Sequence, residues 1–353
     1  MADTDGHPIE LPRDARTVVI NLPRRRVWPW VVIAGLAVLT AIAVPIALAV
    51  GLASAVDEVG SPFAKTEGIG QVAIEGPPNG PAIAVIDMTG TIGPPFTDDW
   101  IAQIEEATED DEVAAVLLHV DSPGGLVADS HQIFHRLQTL SERKPMAVQF
   151  GRLAASGGYY VAMGAGPDAE IVAEPTTWTG SIGVIVPAYN VTDLADKVGI
   201  EATPLKTGRF KDTLSPFRDL TDDEREVWDE ILDDAFERFK DVIAYGRDGL
   251  ERAEIDAAAT GQIFTAEQAV DRGLVDRIGY RDETLDRLAE RAELSGPRVF
   301  RYESPSSPLS LLLGSADAGG SGSMGTDPAA IALRLARPEA YYLFGWPTTL
   351  LPR

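Results

Sequence analysis

The sequence predicts an α/β fold built on a mostly parallel, buried sheet. The predicted strands are short, continuous apolar runs, such as residues 82–88 and 113–120. Amphipathic helical segments separate these runs, as at residues 126–140. Strands that are buried on both faces and alternate with helices are typical of parallel sheets covered by helices. Length and composition allow this architecture, because 353 residues with 45% hydrophobic side chains can bury a sizeable core.

The remaining elements follow the same alternation along the chain. We expect further strands at residues 146–150, 170–173 and 182–186. We expect further helices at residues 98–107, 191–198, 221–245, 265–272 and 282–294.

Charge and cysteine content exclude several classes of function. The formal net charge of −24 argues against nucleic acid as a partner. The chain has no cysteine, so disulfides and thiolate metal sites are excluded.

An N-terminal segment has the character of a membrane anchor. Residues 1–26 form a polar tail that ends in Arg24-Arg25-Arg26, and residues 27–56 carry no charge. This apolar run is long enough to span the hydrocarbon core as one transmembrane helix. We expect an uncleaved anchor rather than a signal peptide, although Leu52-Ala53-Ser54-Ala55 leaves cleavage open. The arginines predict a cytoplasmic N-terminus and place the chain after Val56 outside the cytoplasm.

The rest of the chain divides into three segments. Residues 57–80 are rich in Gly, Pro and charge and are predicted to form a linker. Residues 81–303 contain the α/β pattern. Residues 304–353 are predicted to be a partly flexible tail, whose aromatic cluster at 341–346 we interpret as a packing or partner contact rather than a site.

Ser156 is the first candidate for chemistry. The apolar strand at 146–150 precedes it, and Gly157, Gly158 and a small, apolar helical segment follow it. A serine at a strand-to-helix turn can expose its hydroxyl beside backbone N–H donors, as a nucleophile beside an oxyanion site requires. The alternative is a helix N-cap followed by a close-packed glycine pair.

Three further motifs could contribute to such a site. Gly124-Gly125 follows a predicted strand, at the edge of an α/β sheet where ligands bind. Thr179-Gly180-Ser181-Ile182-Gly183 is a second hydroxyl flanked by glycines, and Lys206 and Lys211 share one loop. Each has an ordinary alternative, a plain turn or a solvated lysine. A lysine that acts as a base must be desolvated, to bring its pKa from about 10.4 towards neutrality.

The histidines limit the mechanism. None of the four follows Ser156, so a triad with histidine after serine is excluded. His131 and His135 have an i, i+4 spacing that can bind zinc, but they lack the HExxH pattern, and we expect a packed or solvated helix face. We therefore expect no metal and no cofactor.

Together these motifs resemble the signal peptide peptidase A family, membrane-anchored serine proteases with a Ser-Lys dyad on a Clp protease/crotonase-like α/β fold. The resemblance spans roughly residues 82–290, and each motif is weak alone but specific in this order. The motifs are Asp121-Ser122-Pro123-Gly124-Gly125, Ala154-Ala155-Ser156-Gly157-Gly158-Tyr159-Tyr160, Thr179-Gly180-Ser181-Ile182-Gly183, Thr207-Gly208-Arg209-Phe210-Lys211-Asp212, Phe264-Thr265-Ala266-Glu267-Gln268-Ala269 and Gly273-Leu274-Val275-Asp276.

The resemblance implies a role for each candidate. Ser156 resembles the nucleophile, Lys211 the general base, and Ser181 the hydroxyl that orients the lysine. The N–H groups of Gly125 and Gly157 resemble the oxyanion hole. Lys206 is the rival base, but the family's lysine occupies the later position. Because negative charge favours a protonated lysine, we expect Asp212 to point away from Lys211, or the lysine to be shielded.

The same resemblance implies an assembly and a substrate class. The chain has one repeat, as in short members that form homo-oligomeric rings, where the lysine can come from the neighbouring subunit. The leading hypothesis is a membrane-anchored serine endopeptidase that cleaves hydrophobic peptides, including released signal peptides. The alternatives are a related membrane protease with quality-control or regulatory substrates, and a catalytically silent, ring-forming scaffold. A crotonase-type acyl-CoA enzyme would leave the anchor and the Ser and Lys motifs unexplained.

Overall fold

The computed structural model describes residues 69–303 and 341–343, which belong to one compact unit, Lys65–Arg353. The predicted N-terminal tail and the predicted anchor at 27–56 lie outside the described residues. Within the described ranges, no helix is both long and apolar enough to cross a membrane.

Strands and helices alternate through the described chain. The strands are β1 Gly70–Glu75, β2 Ala82–Thr89, β3 Val113–Ser122, β4 Gly124–Leu126, β5 Met146–Ala155, β6 Glu170–Ala173, β7 Trp178–Gly180, β8 Ile263–Thr265, β9 Arg277–Ile278, β10 Arg298–Glu303 and β11 Tyr341–Leu343. The helices are α1 Phe96–Glu109, α2 Val127–Ser141, α3 Gly157–Ala162, α4 Thr192–Val198, α5 Asp222–Gly246, α6 Arg252–Ala258, α7 Ala266–Asp271 and α8 Arg281–Arg291. A 3₁₀ turn, Met163–Ala165, follows α3.

Nine of these strands form one mostly parallel sheet, as the sequence predicts. Its main order is β1-β10-β2-β3-β5-β6-β9, and every pairing from β10 to β9 is parallel. β7 pairs in parallel with the end of β5, and β8 pairs antiparallel with β7. β4 and β11 make a separate antiparallel pair.

The sheet is buried on both faces because its central strands are apolar on both faces. One face presents residues such as Ile86, Leu118 and Val148 to the larger core, which also includes side chains of α1 and α2. The other face presents Ile83, Leu117 and their neighbours to α8. This two-sided burial is what makes a parallel sheet favourable.

Two parts of the chain differ from the sequence expectations. Part of the predicted linker forms β1, which pairs antiparallel with β10 at the sheet edge. β1 was missed because it is exposed along nearly its whole length and shows no apolar pattern. The predicted strand at 182–186 is absent. A strand at Trp178–Gly180 precedes this run, in which only Ile185 makes a bridge, to Tyr341.

The strand ends position the candidate site. Ser122 at the end of β3 pairs with Ala154 of β5, and Ala155 of β5 pairs with Gly180 of β7. The loops that follow these strands therefore meet at one edge of the sheet.

Candidate active site

Ser156 stands at the turn between β5 and α3, as predicted. It is the N-cap of α3, with φ 54° and ψ −115°. This conformation is strained for any residue with a side chain, at about 1–3 kcal/mol. Two backbone bonds hold it: the Ser156 N–H donates to the Gly180 carbonyl at 2.8 Å, and the Ser156 carbonyl accepts from Tyr160 at 2.9 Å.

The Ser156 hydroxyl is buried and unpaired. The residue is 1% exposed, and its Oγ has no hydrogen-bond partner among the described residues. A buried hydroxyl without a partner costs about 1–3 kcal/mol, so folded proteins rarely retain one without a use for it. This is the opposite of an ordinary N-cap serine, whose oxygen accepts a backbone N–H.

Ser181 lies beside Ser156. Each serine directly follows one of the paired strand ends, Ala155 and Gly180. Ser181 also has a positive φ, 51°, and its N–H donates to the Gln262 carbonyl at 2.7 Å. It is 8% exposed. The structure therefore brings the two predicted hydroxyl residues together at one edge of the sheet.

The predicted oxyanion glycines also converge. A Cβ placed on Gly124 would lie 2.6 Å from the Gly157 nitrogen, and one on Gly157 would lie 3.0 Å from the Gly125 nitrogen. Gly124 has φ 96°, and the Ser122 hydroxyl accepts its N–H at 3.1 Å. A Cβ on Gly124 or Gly157 would push the two backbone segments apart. Because glycine has no Cβ, the N–H groups of Gly125 and Gly157 can lie close together beside Ser156.

A segment of the C-terminal tail lies across these glycines. In β11, Tyr342 pairs with Gly125, and Leu343 pairs with Gly124. The Tyr342 carbonyl oxygen would lie 2.0 Å from a Cβ on Gly124 and 3.0 Å from one on Gly157. A peptide carbonyl therefore occupies the space that the predicted oxyanion glycines surround.

The other edge of the same segment is also bonded. Tyr341 donates its N–H to the Ile185 carbonyl at 2.9 Å and accepts the Ile185 N–H at 3.0 Å. β11 is thus held as an extended strand between β4 and Ile185. Of the aromatic cluster, interpreted from sequence as a packing or partner contact, the structure describes Tyr341 and Tyr342, which are both buried at the candidate site.

Lys211 is not brought to Ser156 within one chain. Lys211 lies exposed in a loop, where its backbone N–H donates to the Gly208 carbonyl at 3.1 Å. In the described part of the chain, Ser156 Oγ has no hydrogen-bond partner, Lys211 included. One chain therefore supplies two hydroxyls and two N–H donors without a contacting base.

Asp212 forms its ion pairs with side chains other than Lys211. Its carboxylate pairs with Arg218 at 2.8 Å and with Lys206, the rival candidate for the base. Arg218, and after it Lys206, holds the pKa of Asp212 well below its usual range. Arg218 also pairs with Glu224 at 2.5 Å and lowers the pKa of that carboxyl to about 2. This network ties the lysine loop to the start of α5.

The histidines serve other contacts. The ring nitrogen Nδ1 of His131 lies 2.7 Å from the Tyr160 hydroxyl, and its ring stacks on Phe134. Burial lowers the pKa of His131. His119 instead pairs with Asp87 at 2.9 Å. Across the described residues, no group of histidine and carboxylate side chains could hold a metal ion.

The arrangement has the parts for acyl chemistry. An unpaired hydroxyl lies beside two backbone N–H groups, and an extended peptide passes over both. Such donors stabilise the negative charge that develops when a nucleophile attacks a carbonyl. Sequence reasoning found the serines and the glycines but missed β11, because its aromatic residues carry no chemical signature.

Comparison with known proteins identifies the family to which the chain belongs. The family model described as Peptidase family S49 matches residues 138–295, which include Ser156, Ser181 and Lys211. A putative protease of Synechocystis is 37% identical over 217 residues, covering 62% of this chain and 76% of that protein. A putative signal peptide peptidase SppA of Enterococcus faecium is 36% identical over 206 residues, covering 58% and 59%.

A third relative is named as a serine protease. A chloroplastic serine protease SPPA of Arabidopsis thaliana is 29% identical over 222 residues, covering 63% of this chain and 31% of that protein. Some relatives are therefore much longer than the shared region. The family model nevertheless matches the segment that contains the buried serine and the lysine loop, and the chain belongs to peptidase family S49, the signal peptide peptidase A family.

Proposed function

We propose that this peptidase is a membrane-anchored serine endopeptidase that cleaves hydrophobic peptides, released signal peptides among them. The observation that carries the proposal is the buried, unpaired Oγ of Ser156 beside Gly125 and Gly157, with an extended peptide across them. The name of the Enterococcus faecium relative supports the signal-peptide substrate. The mostly parallel sheet supports a Clp protease/crotonase-like fold.

In the proposed mechanism, Ser156 is the nucleophile and Lys211 the general base. Neutral Lys211 takes the proton from Ser156 as Oγ attacks the peptide carbonyl, and Ser181 orients the lysine amine. The N–H groups of Gly125 and Gly157 bind the oxyanion. The lysine then protonates the leaving amine, and water hydrolyses the acyl-enzyme.

Lys211 is proposed to come from a neighbouring copy in a homo-oligomeric ring. Its exposure in one chain, and the unpaired state of Ser156, support this arrangement. Packing against a second copy would remove the lysine from water, which is the condition for a lysine to act as a base.

The membrane proposal rests on sequence. The uncharged run at 27–56 behind Arg24-Arg25-Arg26 supports a single-pass anchor with a cytoplasmic N-terminus. A reporter fused after Arg353 should then be active only outside the cytoplasm, and activity inside would refute this topology.

The nucleophile is tested by Ser156→Ala in the full-length protein, with Ser141→Ala as a matched control. Ser141 donates to the Gln138 carbonyl at the end of α2 and has no part in the site. We expect Ser156→Ala to lower the cleavage of a hydrophobic peptide by several orders of magnitude and Ser141→Ala to leave it near wild type. Equal activity in both variants would exclude Ser156 as the nucleophile.

A further inference from the structure

Strand β5 is interrupted by a bulge shortly before the turn of the proposed nucleophile. As far as Phe150, β5 pairs with β3 residue by residue, and Val120 lies opposite Phe150. The next pair is Ser122 with Ala154, so one residue of β3 faces residues 151–153 of β5. Bulges are rare between parallel strands and often lie next to active sites, where they redirect a side chain. This bulge therefore sets the direction in which β5 approaches the nucleophile turn.

The bulge is also the place where β5 changes its neighbour. On the edge away from β3, Phe150 pairs with Ala173 of β6, whereas Leu153 pairs with Trp178 of β7. The carbonyl at the end of β7 then accepts the N–H of Ser156 at 2.8 Å. The bulge therefore carries β5 from β6 to the strand that holds the nucleophile turn.

The carboxylate of Asp121 fills the bulge from the β3 side. Its side chain is 12% exposed, and Oδ1 accepts the backbone N–H of Leu153 at 3.3 Å. Oδ2 accepts the Nε–H of Arg152 at 2.7 Å, although the Arg152 side chain is 83% exposed. A backbone N–H that loses its partner in the strand ladder needs another acceptor. Asp121 supplies this acceptor, and the exposed arginine adds little to it.

Thr177 holds the bulge from the other side. It directly precedes β7 and is fully buried, and its hydroxyl donates to the Gly151 carbonyl at 2.5 Å. A Cβ on Gly151 would lie 3.0 Å from His119 Nε2 and 3.2 Å from Asp121 Cβ, so glycine allows this close packing. Side chains on both sides therefore bond the backbone of the bulge and fix its conformation.

Asp121 also belongs to the segment that forms the proposed oxyanion site. It directly precedes Ser122, whose hydroxyl accepts the Gly124 N–H at 3.1 Å. The Asp121 carbonyl accepts the Gly90 N–H at 3.0 Å, which ties its backbone to the end of β2. One residue therefore connects the segment of the oxyanion glycines with the strand that leads to Ser156.

We propose that Asp121 and Thr177 are positioning residues for Ser156. Through the bulge they set the distance between its hydroxyl and the N–H groups of Gly125 and Gly157. The inference rests on the proposed function and names further residues that the same site requires. The hydroxyl and the oxyanion donors must act on one carbonyl, and a displacement of about 1 Å can lower the rate about 100-fold.

The test compares Asp121→Ala with Asp121→Asn in the full-length protein, on a hydrophobic peptide. Asp121→Ala leaves the Leu153 N–H without its acceptor, so we expect kcat to fall at least about 100-fold. KM should stay near the wild-type value, because the backbone of β4, with which an extended peptide pairs, is unchanged. Asp121→Asn keeps an oxygen for the Leu153 N–H and should recover most of the lost kcat.

The matched control is Glu170→Ala on β6. Glu170 is also a largely buried carboxylate, 14% exposed, and it accepts from Arg287 at 2.7 Å. Its strand partner, Ala147, lies near the start of β5 and away from the bulge. Glu170→Ala should therefore lower the melting temperature about as much as Asp121→Ala does, but it should leave kcat unchanged. An equal loss of kcat in both variants would show a merely structural role for Asp121 and overturn the proposal.

Ser156→Ala in the same series separates this proposal from the proposed function. If Ser156→Ala is inactive while folded Asp121→Ala keeps wild-type kcat, the positioning role is wrong and the peptidase stands. If Ser156→Ala is active, both fail.

A second pair of variants decides the proposal if Asp121→Ala does not fold. Thr177→Val has the same shape but lacks the donor to Gly151, so its kcat should fall at least about 10-fold. Thr177→Ser keeps the hydroxyl and should keep the wild-type kcat. Equal kcat in these two variants would overturn the proposal.

Discussion

The two serines of the site share an unusual backbone conformation. Ser156 and Ser181 have φ values of 54° and 51°, and each directly follows a strand end that is paired with the other's. The Ser156 N–H bond to Gly180 links the two turns. The Ser156 turn is therefore held by one hydrogen bond to the strand end that precedes Ser181, whereas the Ser181 N–H is held by the Gln262 carbonyl.

At the residue scale, Gly157→Ala should disable the oxyanion site while leaving Ser156 in place. The new Cβ would lie 2.7 Å from the Ser130 hydroxyl and 3.0 Å from both the Gly125 nitrogen and the Tyr342 carbonyl. We expect kcat to fall by about 10²–10³-fold, the effect of losing one oxyanion donor. Steady-state kinetics on a hydrophobic peptide substrate measure this change.

The matched control is Gly249→Ala. A Cβ on Gly249 meets no atom within 4 Å, and its φ is not in the left-handed region. It should therefore retain wild-type kcat. A folded Gly157→Ala protein with wild-type kcat would contradict the placement of the oxyanion site.

How much of this site the sequence predicts depends on the kind of residue. Ser156, Ser181, Gly125 and Gly157 were proposed because their motifs, each weak alone, occur in the order of the family that they resemble, and the structure places these residues at one edge of the sheet. Tyr342 was not predicted as a site residue, because in the sequence an aromatic side chain in a C-terminal tail cannot be distinguished from any other packing residue. The dyad of Ser156 and Lys211 stays a prediction, because the Ser156 hydroxyl has no hydrogen-bond partner in the described part of one chain.

At the element scale, the central parallel strands were predictable and the edge strands were not. β2, β3 and β5 are buried on both faces and form continuous apolar runs. β1 is exposed, and β11 has only three residues, so their pairing depends on partners distant in sequence. The prediction of a strand at 182–186 was wrong because only Ile185 in this run makes a bridge, to Tyr341 of β11, which lies outside the main sheet.

The pairing of β11 with β4 predicts that the tail competes with substrates. A synthetic peptide covering residues 338–346 should inhibit cleavage of a hydrophobic peptide substrate competitively, because it offers the same strand and the same Tyr342 side chain. Initial rates at several substrate concentrations give the mode of inhibition.

The matched peptide carries Tyr342→Asp. The Tyr342 ring is buried against Tyr160 and Phe239. A carboxylate there would be buried without a partner, so binding should weaken by at least about 100-fold. If both peptides inhibit equally, the pairing of Tyr342 with Gly125 is not the mode in which the tail binds.

At the scale of the whole molecule, the negative net charge of the chain affects the protonation of its lysines. A net charge of −24 favours protonated lysine, and within the lysine loop Asp212 is the carboxylate next to Lys211. The network of Lys206, Arg218 and Glu224 neutralises this region internally. Lys211 thus remains at the surface of one chain without an ion-pair partner among the described residues, available to a second copy.

The final prediction tests whether two copies share one site. Ser156→Ala and Lys211→Ala should each be inactive alone. If the dyad crosses a subunit interface, mixed assemblies place an intact Lys211 from one variant beside an intact Ser156 from the other. Activity should then return on mixing, to about a quarter of wild type for equal amounts mixed at random, and it should be lost on dilution below the assembly constant.

The control mixture is Ser156→Ala with a Ser156→Ala/Lys211→Ala double variant, which can form no intact pair and should stay inactive. Exchange of subunits is verified by energy transfer between two labelled populations. A dyad within one chain leaves every site in the first mixture lacking one member. Verified exchange without recovery of activity would therefore exclude the shared site, and Lys211 would have to reach Ser156 by a movement of its own loop.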